Sequence, residues 1–233
     1  MSKLKNKNPN KQEEYIIKII HDLKTPINAQ IKALESFLTT TKDKITQEEK
    51  DLIELTLNSC NYMQKLIETF TSINKLNTEN LLLNYEKFDI VELVSSSINE
   101  LKILLKYYEL NIIFDSTKEI IVNADKLQIK RVIENLLSNS INYAYKNTNI
   151  EIYLTKKNNN ICFEIKNKSP YIEADVLNEI FEKYKTYPLN YNKNGVGLGL
   201  YLSKEIIKAH FGKMSAKSLN DNINIFSFSI PID

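Results

Sequence analysis

The stretch ENLLSNSINY (residues 134–143) decides how the C-terminal part of the chain is interpreted, because it sets amide side chains at helical spacing. Asn135, Asn139 and the pair Asn142–Tyr143 fall on one helix face, since residues three and four apart stack. Buried amides need hydrogen-bonding partners, and amide oxygens suit Mg²⁺, which keeps several waters and bridges to phosphates. The stretch therefore predicts a Mg²⁺ and phosphate site on a helix over 126–145. An Asn-rich surface helix in an Asn-rich chain is the alternative.

A second informative stretch, GVGLGL (residues 195–200), holds three of the four glycines of the chain. It opens a predicted helix from Leu198 to His210, for which Gly212 is placed as the C-terminal stop. Glycines let backbone N–H groups approach phosphates, and a helix N-terminus favours negative charge. The irregular stretch Lys183–Asn194 before it is then predicted to be a mobile lid over a nucleotide. A simple flexible turn is the alternative.

The N-terminal part shows two amphipathic helical patterns, from Tyr15 to Leu38 and from Leu52 to Leu76, separated by a polar turn over Thr39–Thr46. Two long helices with a short connection predict an αα-hairpin. A lone hairpin cannot cover both apolar stripes, whereas pairing with a second copy into a four-helix bundle does. The pattern therefore predicts a homodimer.

The first of these helices contains HDLKTP (residues 21–26). Pro26 cannot donate to the Asp22 carbonyl, so a kink beside His21 is expected. A neutral imidazole is a good nucleophile toward phosphorus, and Asp22 can accept its other ring proton as phosphorylation proceeds. A surface histidine beside an incidental proline is the alternative.

Composition excludes several classes of protein. Among 233 residues, 31 basic side chains face 29 acidic ones, and a net charge of +2 does not favour nucleic-acid binding. Two distant cysteines, Cys60 and Cys162, provide neither a disulfide framework nor a four-ligand zinc site, and they fit a reducing compartment. No apolar run reaches the roughly 18 residues of a membrane span, so a cytoplasmic location is expected.

After residue 80 the pattern changes to short strands and helices, which predicts an α+β architecture with a mixed sheet covered by helices on one face. Asp89, with Glu92 three residues on, predicts a capped helix start. The remaining predicted elements are strands over 81–88, 110–114, 119–122, 150–155, 161–166, 213–218 and 223–230, and helices over 89–108 and 175–181.

The order HDLKTP, Asn-x-x-x-Asn, IFEKY (residues 180–184) and GVGLGL resembles the H, N, F and G2 boxes of sensor histidine kinases, from about residue 15 to 230. The resemblance implies a disordered tail over 1–10, a dimerisation and histidine-phosphotransfer hairpin over 11–78, and a Bergerat-type ATP-binding domain, an α/β sandwich, over 81–233. It implies ATP and Mg²⁺ as cofactors. The implied partners are a response-regulator receiver domain, a second copy of the chain and a separate sensor protein.

The resemblance also implies residue roles. His21 matches the phosphoacceptor, Asp22 the neighbouring acid that assists transfer, and Thr25 the residue that orients water when the partner regulator is dephosphorylated. Asn139 matches the Mg²⁺ ligand. The other matched nucleotide-binding residues are Asn135, Asn142, Tyr143, Asn167, Ile172, Gly195, Gly197, Leu198 and Gly199.

The sequence departs from the family in its first glycine box, where NKSPYI (residues 167–172) aligns with Asp-x-Gly-x-Gly. Asn167 still accepts a hydrogen bond from adenine, but without charge assistance, at a cost of about 1–2 kcal/mol or roughly ten-fold in ATP affinity. Ser169 and Tyr171 replace both glycines, so the pocket wall must be shaped differently. Asn142 stands where a basic residue is common.

Two alternative functions remain at this point. The altered first glycine box favours a phosphotransfer or scaffold protein whose ATP domain has decayed and in which His21 only relays phosphate. A serine-protein kinase or ATPase of the same ATP-binding superfamily is the other, and the HDLKTP stretch and the dimer hairpin disfavour it.

Overall fold

The computed structural model describes residues 9–41, 44–78, 83–115, 118–185 and 197–232, with the side chains of residues 9–17, 21, 65, 73–78 and 103 left out. The chain divides into two compact units, Met1–Asn80 and Leu81–Asp233. No helix among the described residues is both long enough and apolar enough to cross a membrane. The predicted tail falls mostly outside the described residues, and Pro9 and Asn10 already belong to the first helix.

The N-terminal unit is a helical hairpin of α1 (Pro9–Thr40) and α2 (Gln47–Thr78). The helices run antiparallel, since Asn28 contacts Gln64 while the later Gln30 contacts the earlier Cys60. The small core between them consists of Ile27, Ile31, Cys60 and Ile67. Helix α1 continues through Pro26, so the loss of one backbone hydrogen bond does not end the helix. The kink stays a prediction.

Helix α2 begins with a local signal in the sequence TQEE. The Thr46 hydroxyl accepts from the Glu49 amide at 3.3 Å, and the Glu49 carboxylate accepts from the Thr46 amide at 2.8 Å. This reciprocal capping box satisfies two amides that helix geometry leaves without partners. The hydrogen bonds that the Glu49 carboxylate accepts from the Thr46 amide and from the Thr46 hydroxyl hold its pKa below the ordinary value.

The C-terminal unit is an α+β fold, as the sequence predicts. Its helices are α3 (Ile90–Glu100), α4 (Lys102–Tyr107), α5 (Lys126–Tyr143), α6 (Ala174–Glu179) and α7 (Gly199–Ala209). Its strands are β1 (Glu86–Asp89), β2 (Asn111–Phe114), β3 (Ile121–Ala124), β4 (Asn149–Lys157), β5 (Asn160–Lys168), β6 (Lys213–Leu219) and β7 (Ile223–Pro231). A mixed sheet has the order β2-β4-β5-β7-β6, with β2 and β4 parallel and the other neighbours antiparallel. Strands β1 and β3 form a separate antiparallel pair.

Alternation along the central strands separates the two faces of the sheet. In β5 and β7 every second residue is buried, including Phe163 and Phe228, whose rings stack at 5.0 Å. Residues on the opposite phase are partly exposed, so this sheet packs its helices on one face. The β4–β5 hairpin turns at Asn158 and Asn159, both with positive φ, as a tight right-twisted hairpin requires.

The helix predicted after Asp89 differs from the structure. The single helix expected over 89–108 is interrupted at Leu101, where α3 ends and α4 starts. Asp89 does cap α3, accepting from the Val91 amide at 2.9 Å, and its other partner is the Ile120 amide.

The stop of α7 also differs from the expectation. The left-handed residue is Phe211, with φ of 57°, rather than Gly212. Gly212 instead donates its N–H to the Ile207 carbonyl at 2.9 Å. A Cβ on Gly212 would lie less than 3.0 Å from the Ser229 carbonyl oxygen, so close packing against β7 requires the glycine there.

Candidate functional site

Helix α5, which carries the predicted amides, is held by an N-terminal cap and by a buried row of side chains. Asp125 caps the helix by accepting from the Gln128 amide at 3.0 Å, and a core-facing row of residues is buried. That row consists of Ile129, Val132, Ile133, Leu136, Leu137, Ser140 and Ile141. Asn135 and Asn139 stand beside it and are partly exposed. The helix therefore fixes the direction of both amides through its packed side.

Asn135 is held by helix α7. Its amide nitrogen donates to the Ser203 hydroxyl at 2.9 Å. A Cβ on Gly199 would lie less than 3.0 Å from the Asn135 amide oxygen. A larger residue at position 199 would therefore displace the Asn135 amide from its present place.

Asn139 differs from Asn135 in its bonding. Among the residues that the structure describes, its side chain makes no hydrogen bond. Asn142, one turn on, donates weakly to Ser138 at 3.4 Å. Tyr143 is half-buried, and this burial raises the pKa of its hydroxyl above the ordinary value. On the predicted helix face, the side-chain amide of Asn135 is therefore hydrogen-bonded, whereas that of Asn139 makes no hydrogen bond to the described residues.

The glycine stretch is described from Gly197 onward; Gly195 and most of the predicted lid lie outside the described residues. The Tyr184 N–H donates to the Gly197 carbonyl at 3.0 Å, so the flanks of the segment 186–196 meet. Gly197 has φ of 68°, and a Cβ there would lie 2.5 Å from the Lys185 carbonyl oxygen. Both the positive φ and this close approach require glycine.

Helix α7 begins just after this contact. Leu198 precedes it with a side chain that is 2% exposed and packs in the core. No side chain caps the helix among the described residues, so its first amides remain available. Leu198 can therefore contribute to a phosphate site only through its backbone.

The segment 167–172 follows β5. Asn167 is 3% exposed, yet its side-chain amide makes no hydrogen bond to the described residues. Ser169, in place of a glycine, accepts from the Asn224 amide at 2.6 Å. The Ile172 N–H donates to the Ser218 hydroxyl at 3.0 Å. Sequence reasoning missed Asn224, although its position on the buried phase of β7, with Phe226 and Phe228, was the available signal.

The HDLKTP residues lie on α1 in the other unit. The backbone of His21 is helical, and its side chain is outside the described part of the chain. Asp22 and Thr25 are exposed on the same helix. Both Asp22 and Thr25 are thus accessible to solvent.

Ser140 gives a stability prediction at the site. It is 2% exposed, and its hydroxyl is the one side-chain polar atom that is both fully shielded from solvent and without a partner among the described residues. Ser140→Ala is expected to raise the free energy of unfolding by about 1 kcal/mol, because an unpaired hydroxyl is removed and Ala favours helix. Urea denaturation measures the change. The control is Ser138→Ala, which changes a half-buried serine two residues earlier in the same helix. A loss of stability in Ser140→Ala would contradict the prediction.

The second histidine, His210, is neutral by its bonding. It is 2% exposed, its Nδ1–H donates to the Ile206 carbonyl at 2.8 Å, and its Nε2 accepts from the Asp125 N–H at 3.0 Å. Burial lowers the pKa of His210 below its ordinary value of 6.5, outweighing the Ile206 hydrogen bond and the Asp125 charge. Asp125 also accepts from the Asn84 amide, so this junction joins the start of the unit to α5 and α7.

The bonding of His210 predicts a pH dependence of stability. Between the lowered folded pKa and the unfolded value near 6.5, the unfolded chain binds a proton that the folded chain does not. Stability is therefore fully present above about pH 6.5 and falls below it, with a slope of up to about 1.4 kcal/mol per pH unit. Urea denaturation between pH 5.5 and 7.5 measures this slope. His210→Gln should flatten it, and an equal slope in that variant would contradict the assignment.

Comparison with known proteins finds one family over the C-terminal part of the chain and relatives over nearly all of it. Residues 124–233 match the family of histidine kinase-, DNA gyrase B- and HSP90-like ATPases. The sensor protein KdpD of Clostridium acetobutylicum is 32% identical over 218 residues, covering 91% of this chain and 24% of that protein. The chain thus spans about a quarter of the length of this relative.

Two solved structures share the fold. Full-length ShkA in complex with AMPPNP has a TM-score of 0.76 at 17% identity, covering 94% of this chain and 45% of that chain. The histidine kinase ThkA in complex with the response regulator protein TrrA has a TM-score of 0.63 at 20% identity, covering 100% of this chain and 68% of that chain. Residues 124–233 are thus an ATP-binding domain of this ATPase family, and the chain as a whole is similar to sensor histidine kinases.

Proposed function

We propose that the chain is the catalytic core of a protein-histidine kinase that uses ATP to phosphorylate His21 and passes the phosphate to a response-regulator aspartate. The observation that carries the proposal is the difference between the two α5 amides. Asn135 is fixed by Ser203 at 2.9 Å, whereas Asn139 has no hydrogen bond to the described residues. A half-buried amide without a protein partner suits a ligand.

The residues present fit Mg²⁺ and ATP. The oxygen of Asn139 is a hard ligand of the kind that Mg²⁺ takes from proteins, and the ion, when bound, neutralises charge on the phosphates. The uncapped N-terminus of α7 offers amides to the phosphates, and Gly197 keeps its approach free of side chains. Gly195 and Gly199 belong to the same stretch.

The remaining matched residues complete the nucleotide site in this proposal. Asn167 accepts a hydrogen bond from adenine through its uncommitted amide. Ile172 and Tyr143 contact the base, and Asn142 lies on the phosphate side. Asn135 supports the site through α7 rather than by holding the metal.

The chemistry in the proposal is an in-line transfer. An imidazole nitrogen of His21 attacks the γ-phosphorus, the bond from that phosphorus to the bridging oxygen breaks, and ADP leaves. Asp22 accepts the proton of the other ring nitrogen. A receiver-domain aspartate then takes the phosphoryl group from His21. In a separate reaction, Thr25 orients the water that hydrolyses the phosphate on the regulator. ThkA, which shares the fold, was solved with such a regulator.

Dimerisation is supported by apolar side chains that the single hairpin leaves exposed. They are Ile19, Leu23, Phe37, Leu52, Leu55, Tyr62 and Met63. Exposed apolar residues along two helices favour association with a second copy into a four-helix bundle. Because the reaction needs ATP and a receiver domain, the proposed location is the cytoplasm, with input from a sensor protein.

Incubation with Mg-ATP labelled at the γ-phosphate tests the proposal. The expected product is the chain carrying phosphate that is labile in acid and stable in alkali, as a phosphorylated imidazole is. Acid-stable label would instead favour a serine kinase. No ATP binding at millimolar concentration, with label accepted only from another phosphorylated protein, would favour the phosphate relay.

A further inference from the structure

Asn224 occupies a central position beside the altered glycine box. It lies in β7 with its Cα opposite Asn167 of β5 on one side and Ser218 of β6 on the other. It is 1% exposed and points to the same face of the sheet as Phe226. A buried amide at an otherwise apolar strand position costs free energy unless its hydrogen-bonding capacity is used.

The hydrogen-bonding capacity of Asn224 is directed at the chain that leaves β5. Its amide nitrogen donates to the Ser169 hydroxyl at 2.6 Å and to the Pro170 carbonyl at 2.8 Å. Its amide oxygen accepts from the Ser218 hydroxyl at 2.5 Å, and Ser218 in turn accepts from the Ile172 N–H at 3.0 Å. These five residues are called the Asn224 network.

The Asn224 network fixes a segment that backbone contacts reach only at its start. The Ser169 N–H donates to the Asn222 carbonyl at 2.9 Å, and the Lys168 carbonyl accepts from the Tyr145 N–H at 2.8 Å, just beyond α5. From Pro170 to Ile172 the hydrogen bonds come from the side chains of Asn224 and Ser218. A segment without glycines is therefore shaped by cross-strand side chains.

Asn167 and Asn224 face each other but are used differently. The side-chain amide of Asn224 makes hydrogen bonds to three partners, whereas the side-chain amide of Asn167 makes none to the described residues. The side-chain amide of Asn167 thus keeps a small contact with solvent and stays available to a ligand. Fixing the wall beside it preorganises a site for a planar ligand with hydrogen-bonding edges.

We propose that Asn224 is a positioning residue for the base-binding wall of the nucleotide site, acting through Ser169–Ile172 without touching the nucleotide. The inference rests on the proposed ATP-dependent function. It assigns to Asn224 the task of holding this wall, which sets both the affinity for ATP and the preference for adenine over guanine.

The test measures binding of ATP and of GTP to the whole chain by calorimetry, together with the KM and kcat of autophosphorylation. Asn224→Asp keeps the acceptor toward Ser218 and removes both donors. It is expected to weaken ATP binding roughly ten-fold, to bring the ATP-to-GTP affinity ratio toward one, and to raise KM with kcat at saturating ATP unchanged. Ser227→Ala is the matched control, because it removes the 2.8 Å Ser215–Ser227 hydrogen bond between the same two strands on the opposite face.

Each outcome decides the inference. If Asn224→Asp does not fold, Ser218→Ala and Ser169→Ala, which each remove part of the network, are measured in the same way and should lower the same ratio. Wild-type ATP affinity and ratio in all folded network variants, with or without a change in melting temperature, would overturn the inference and leave the proposed function standing. A wild-type chain that binds no ATP would overturn both.

Discussion

Replacement of His21 with Ala is expected to abolish incorporation of acid-labile phosphate from Mg-ATP, which is the largest effect predicted for this chain. The sequence holds only one other histidine, His210. That residue is 2% exposed, and both of its ring nitrogens are engaged with the backbone. A buried imidazole without a free nitrogen cannot attack phosphorus, so no second histidine can replace His21. Autoradiography after alkaline and acid treatment measures the label.

The control for His21→Ala must preserve the helix and the ATP site. Lys18→Ala changes an exposed residue of α1 less than one turn before His21 and should leave labelling within two-fold of wild type, since isolated surface changes have small effects. ATP binding by His21→Ala should equal that of the wild-type chain. Acid-labile label that survives in His21→Ala would reject this residue as the acceptor.

Replacement of Asn139 with Ala is expected to lower the autophosphorylation rate on the order of 100-fold, because the Mg²⁺ ion that Asn139 would hold supplies several kcal/mol of charge stabilisation. Its effect on folding should be small, within about 0.5 kcal/mol, because the side chain makes no hydrogen bond to the described residues. Initial rates at saturating Mg-ATP and urea denaturation of the same preparation measure the two quantities.

Two further variants separate the role of Asn139 from that of a generic helix asparagine. Asn99→Ala removes an exposed asparagine of α3 and should change neither rate nor stability. Asn135→Ala should lower stability, because it breaks the hydrogen bond to Ser203 between α5 and α7. A rate in Asn139→Ala equal to that of Asn99→Ala would contradict a metal-binding role.

Local patterns were sufficient to predict most elements of the fold. The amphipathic periodicity predicted both hairpin helices, and alternation predicted the central strands, because these signals depend only on the geometry of neighbouring residues. The break at Leu101 and the left-handed Phe211 were missed, since propensity does not show where packing ends a helix. The TQEE capping box before α2 was readable in the sequence and was overlooked.

The sequence by itself determined which residues share a helix face, and hence that Asn135 and Asn139 lie side by side. Only the tertiary structure decided their bonding. Asn135 pairs with Ser203, 68 residues later, Asn224 with Ser169, 55 residues earlier, and the Asp125 amide with His210, 85 residues later. Such partners follow from strand order and register, which bring distant segments together, and periodicity within one segment carries no information about which distant residue arrives beside a buried polar group.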